Sequence, residues 1–251
     1  MFRYAALILV VLMIASLHYA KTDSVQPVRS SVISPDHIDI CNNESPSVAT
    51  VLEQLSSGNY DITSKARHVL LNIAYRSADC RQAVIRALIA AMDEPELDFE
   101  RQPLKYNLWR EGSELLGELK AIEALDLLIS HLDLTNGFHS SSMVFQPAIL
   151  GVRQMGVAAI PKLAVALRQS SKPRIRLAAV YCLTDIGGTA ALVVLKEARD
   201  SETNSCVSNF IKVSLNTFTY KSKSGVSFDT QAPRADTEAR QNWMAAFQCV
   251  D

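Results

Sequence analysis

Residues 116–125, LGELKAIEAL, 155–163, MGVAAIPKL, and 186–195, IGGTAALVVL, share one pattern. Each is an apolar residue followed by glycine, then a short step, then apolar residues at helical spacing. The glycines stand at Gly117, Gly156 and Gly187, and a leucine follows at Leu125, Leu163 and Leu195. With Leu88 as the first equivalent, the leucines fall 37, 38 and 32 residues apart. A period in this range marks stacked helix pairs, none of which buries its apolar face alone. The reading is therefore an all-α fold, an α-solenoid of stacked antiparallel helix pairs with a superhelical, armadillo-like course.

Working outward from these stretches gives four helix pairs. The first covers about 63–75 and 78–92, with Ala66, Val69, Leu70 and Ile73 facing Val84, Ile85, Leu88, Ile89 and Met92. The second covers about 103–119 and 121–132, with Leu104, Leu108, Leu115 and Leu116 facing Ile122, Leu125, Leu128, Ile129 and Leu132. The third covers about 145–155 and 157–167, the fourth about 174–186 and 189–199. Apolar residues at i, i+3 and i+4 give each helix one inward stripe. Gly117, Gly156 and Gly187 are expected to close the first helix of their pairs, because glycine accepts a left-handed C-cap. Pro161 sits where its helix begins and a missing N–H costs least. A further helix runs over about 206–220, a polar loop follows, and an amphipathic helix from about Asp236 carries Trp243, Met244, Ala246 and Phe247. The repeat region thus spans 48–220, and 221–251 forms a loop and a capping helix.

These stretches resemble HEAT-like repeats, in particular the short repeats of bilin-lyase-type proteins, over about residues 62–200. The resemblance implies a scaffold that binds proteins, with second helices lining the concave surface. Arg86, Glu123, Asp126, Lys162 and Lys196 are the polar residues on those helices, and they are the candidate partner-binding residues. The competing reading is a solvated face with no partner. The first unit departs from the pattern, since Ile73-Ala74 replaces the apolar-glycine step.

Composition fits one packed domain: 48% hydrophobic and 20% charged, with 25 basic and 26 acidic residues. A balance this even lacks the electrostatic footprint of a nucleic-acid binder. Ala5–Leu17, AALILVVLMIASL, is an unbroken apolar run behind Arg3. Its length suits a secretory signal peptide better than a bilayer span of about 20 residues. Residues 1–20 are read as a cleaved signal or, in the alternative, as an uncleaved membrane anchor; a buried core helix is the third reading. Either of the first two places the rest outside the cytosol, secreted, periplasmic or tethered. Residues 21–47, with Pro27, Pro35 and Pro46, form a linker that carries the sequon Asn43-Glu44-Ser45.

An oxidising compartment lets cysteines pair. Cys182 lies in an apolar helix and reads as a small core residue. Cys41, Cys80, Cys206 and Cys249 flank the array and allow three connectivities. The expected pairs are Cys41 with Cys80 and Cys206 with Cys249, one at each end; the alternative is five reduced thiols. No C-x-x-C occurs and no histidine lies near a cysteine at ligand spacing, so no metal is expected.

The sequence holds no phosphate loop, G-x-S-x-G elbow or H-E-x-x-H. None of His18, His37, His68, His131 and His139 is followed by glutamate, which sets the chain apart from HEAT-like di-iron hydroxylases. His68 and His131 read as structural, His139 as a loop residue, and Tyr106 and Trp109 as core. No catalytic residue and no cofactor is called for. The expectation is an exported, non-enzymatic scaffold for a protein or peptide. The alternative is an enzyme or a lyase-like or chaperone-type maturation factor built on the same repeats.

Overall fold

The structure is a computed structural model that describes residues 41, 47–93, 102–134, 146–223, 246 and 249, all within the compact unit Ile38–Asp251. The expectations for residues 1–20, for the Asn43 sequon, for His139 and for most of 221–251 lie outside the described residues.

Every regular element among the described residues is helical, so the fold is all-α as the sequence predicts. The helices are α1 Val48–Leu55, α2 Tyr60–Ala74, α3 Ala78–Met92, α4 Pro103–Glu118, α5 Leu125–Ser130, α6 Pro147–Met155, α7 Ile160–Gln169, α8 Pro173–Ile186, α9 Gly188–Ser201 and α10 Ser205–Lys223. A 3-10 turn, Ile122–Ala124, leads into α5, and another, Gly156–Ala159, leads into α7.

The starts follow local chemistry. Asn59 Oδ1 accepts from the Asp61 and Ile62 amides at 3.0 and 3.2 Å, so α2 begins at Tyr60, three residues before the predicted start. Ser47 and Ser77 cap α1 and α3 in the same way. Helices α4, α6 and α8 begin on proline instead, which gives up only an amide that has no intrahelical partner.

Packing is mainly between neighbours, with α5 also touching α8. First helices touch first helices along α2, α4, α6, α8 and α10; second helices touch along α5, α7 and α9; each second helix also packs on the next first helix. Helix α1 closes the start by packing on α2, α3 and α4. The four repeat leucines, Leu88, Leu125, Leu163 and Leu195, are all 0% exposed. Each contributes on the order of 2–3 kcal/mol by leaving water. Cys182 is equally buried, and Trp109 is in the core as expected, its ring centroid 4.8 Å from that of His131.

Two predicted details are corrected. Gly117 does not cap its helix: it lies inside α4, and the left-handed residue of that corner is Lys120, with φ 52°. The Lys120 amide donates to Gly117 O at 3.0 Å and the Ala121 amide to Leu116 O at 2.9 Å, the paired bonds of a Schellman turn. Gly156 and Gly187 do hold positive φ, 65° and 73°, as expected. Leu104 and Ile122 do not face each other across the second pair; both are exposed. Leu104 sits in the first turn of α4, and the three-residue period of the 3-10 turn rotates Ile122 off the inward stripe.

Candidate functional site

All five candidate residues are exposed. Arg86 lies on α3, Glu123 on the turn before α5, Asp126 on α5, Lys162 on α7 and Lys196 on α9. The structure brings two of them together. Lys162 Nζ donates to both oxygens of Asp126, at 2.6 and 2.8 Å, joining α7 to α5. Among the described residues Arg86, Glu123 and Lys196 have no ion-pair partner.

A second link on the same side was missed by the sequence reading. Arg168 Nη2 donates to Glu197 at 2.5 Å and joins α7 to α9. Lys172 adds a bond to Asp133 at 3.0 Å. Between these pairs Val165 and Val193 are each 47% exposed. The sequence does carry a sign of Val165, an apolar residue out of phase with the buried stripe Leu163, Ala164 and Leu167. Nothing in it foretold the pairings, whose members lie 36 and 29 residues apart. The result is a run of three helices cross-linked side to side, with apolar side chains standing between charge pairs.

The opposite row of helices is tied more firmly. Arg67 on α2 reaches Glu114 at 2.8 Å and Glu118 at 2.7 Å, with Glu111 at 3.7 Å, three residues on one face of α4. Burial works against the Arg67 charge, but the hydrogen bonds it donates to Glu118 and Glu114 hold its pKa above the usual value. Arg153 on α6 pairs with Asp185 on α8 at 2.5 Å, its guanidinium 5.6 Å from the Tyr181 ring centroid. Arg176 on α8 grips Glu202 through two bonds, 2.9 and 3.0 Å, and both side chains are largely buried. A polar pocket beside that pair is lined by Arg168, Ser170, Arg176 and Glu202, whose charges are already matched. His131 is structural: its Nδ1 lies 2.8 Å from Leu127 O. His68 is exposed. Among the described residues no three His, Cys, Asp or Glu side chains are placed to hold a metal.

At the ends, Cys41 and Cys80 stand at bridging distance with Cα atoms 5.4 Å apart, and Cys206 and Cys249 likewise at 5.8 Å. These are the expected pairs. Bridged cysteines of this kind suit an oxidising, extracytoplasmic compartment. One stretch among the described residues, Pro147–Gln169, is apolar and long enough to cross a membrane, but half of it is buried and its backbone turns at Gly156. It belongs to the core.

No family model matches the chain, and no curated protein matches it.

Proposed function

We propose that this chain is an exported, HEAT-like α-solenoid that acts as a non-enzymatic scaffold and holds a protein or peptide on the face of α5, α7 and α9. The observation that carries this reading is the cross-linking of that face. Core packing sets the registry of three successive helices, Lys162–Asp126 and Arg168–Glu197 bridge them at the surface, and Val165 and Val193 remain half exposed on the same helices. A surface held rigid before contact loses little freedom on binding, so modest apolar anchors suffice. Lys196 and Glu123, which have no ion-pair partner among the described residues, supply charge for register. Export rests on the apolar run Ala5–Leu17 together with the two cysteine pairs. A membrane enters only if residues 1–20 stay uncleaved.

The test is co-purification of the exported protein beside a Val165→Glu/Val193→Glu variant, with helicity of both checked by circular dichroism. The expected result is a protein partner at fixed stoichiometry that the folded variant no longer retains. A partner retained equally by both places binding elsewhere; a copurifying small molecule and no protein removes the scaffold reading.

A further inference from the structure

The face of α5, α7 and α9 is apolar at its middle and carries opposite charges at its two flanks. Ile122 is 53% exposed, Val157 73%, and Val165 and Val193 47% each, with Pro161 also exposed. Val165 on α7 is as exposed as Val193 on α9, so the central helix is not sunk below its neighbour. The cations of α7, Lys162 and Arg168, are committed to Asp126 and Glu197 of the same chain. At the flanks, Glu123 precedes α5 and Lys196 lies on α9, both exposed. Counted from the equivalent leucines Leu125 and Leu195, Glu123 stands two residues before and Lys196 one residue after. The offset along parallel helices is about 5 Å, which a lysine side chain spans.

A surface with acid on one flank, base on the other and apolar residues between is its own complement. A two-fold axis running along α7 within the interface lays α5 of each copy over α9 of the other. Glu123 then meets Lys196 of the other copy twice, and the apolar residues of the two central helices meet on the axis. A two-fold across the helices would instead lay α5 on α5 and set Glu123 toward Glu123, so charge selects the first arrangement. We propose that the protein held on this face is a second copy of the same chain, in a two-fold dimer centred on α7 and registered by two Glu123–Lys196 contacts. The proposal rests on the reading of α5, α7 and α9 as a protein-binding face and names the occupant. Three helices about 9 Å apart and about 18 Å long offer roughly 500 Å² per copy. A stable complex usually buries about 800 Å² per partner, so this dimer is weak and concentration-dependent. Lys162–Asp126 enters the interface already paired, which leaves no lone charge to desolvate.

The experiment is sedimentation equilibrium of the full exported protein from about 1 to 300 µM, with circular dichroism confirming that every variant is folded. The expected result is a mass that rises from one chain toward two. Glu123→Lys and Lys196→Glu, each alone, should weaken association at least tenfold by opposing like charges. An equimolar mixture of those two variants should associate again, because both flank contacts then join opposite charges, and the double variant Glu123→Lys/Lys196→Glu should dimerise by itself. A wild-type chain that stays monomeric throughout, single reversals that dimerise as well as the native chain, or a mixture that does not regain association would each overturn the proposal. A monomer that still retains a different protein through Val165 and Val193 overturns the dimer and leaves the scaffold reading standing. A dimer that persists in the folded Val165→Glu/Val193→Glu variant forms elsewhere and overturns the proposal too.

Discussion

A β-carbon placed on Gly117 would stand 2.8 Å from the carbonyl oxygen of Gly151, so α4 and α6 meet backbone to backbone at this pair. The contact works in both directions, since a β-carbon on Gly151 would run into the main-chain oxygen of Ser113. A carbonyl oxygen in a helix cannot swing away as a side chain can. Stacking of one unit on the next therefore depends on two hydrogens in place of two methyl groups.

Gly117→Ala and Gly151→Ala are expected to destabilise the protein even though alanine is the better helix former. Propensity favours alanine by about 1 kcal/mol, while forced separation of a packed interface costs about 1–3 kcal/mol. The net loss should reach up to about 2 kcal/mol, larger for Gly151, read from urea unfolding midpoints at unchanged slope. A midpoint that rises in either variant would show that the helices separate freely.

Lys120 holds a left-handed backbone, φ 52°, that costs an L-residue roughly 1–2 kcal/mol. Its Nζ reaches Gln154 O on the neighbouring helix, and Arg81 Nη2 binds Leu119 O and Lys120 O from α3. Lys120→Ala loses the Nζ bond and keeps the strain; Lys120→Gly loses the bond and the strain together. The glycine variant should be the more stable of the two by about 1 kcal/mol. Equal thermal midpoints for the pair would mean that the corner relaxes out of the left-handed region.

Exposure separates the ion pairs. Lys162 and Asp126 are 48% and 76% exposed, whereas Arg176 and Glu202 are 13% and 5% exposed. Asp126→Asn should cost less than about 1 kcal/mol, the ordinary worth of a solvated pair. Glu202→Gln strands the Arg176 charge in a buried setting and should cost about 3 kcal/mol. Moderate salt should shift the first difference and leave the second nearly untouched. Comparable losses from the two variants in chemical unfolding would contradict this ordering.

How much of this was legible in the sequence follows from the range of each interaction. The helices and their buried leucines were legible because a 3.6-residue stripe is a local property that survives packing. Gly117 was misread because a glycine near the end of a helix looks alike whether it turns the chain or admits a neighbour. Only the position of Gly151, 34 residues away, decides between them. Ile122 was misplaced because the corner tightens into a 3-10 turn before α5, and periodicity carried across it drifts. The candidate face was legible as a list of exposed charges on second helices, but its cross-links were not. Lys162–Asp126 and Arg168–Glu197 form between helices whose registry is fixed by core packing. The cysteine pairs were legible only as one choice among three connectivities, because sequence position alone does not say which thiols meet in space.

Cys182 on α8 is 0% exposed, and burial pushes its thiol well above its ordinary value of 9.0. Arg153 pulls in the opposite direction, but burial prevails. The folded state therefore keeps the proton at a pH where the unfolded chain has released it. The sign follows: this group's contribution is complete below about pH 9 and is lost as pH rises further, because the unfolded state then gains by ionising. The slope is at most about 1.4 kcal/mol per pH unit for one group. Cys182→Ala removes the thiol, so its stability should fall less steeply between pH 9 and 10 than that of the native chain, whatever the cavity costs at neutral pH. Iodoacetamide at pH 9 should leave Cys182 unmodified until denaturant is added. Parallel alkaline slopes for the two proteins, or alkylation of Cys182 in the folded protein, would show that the thiol is not held neutral by burial.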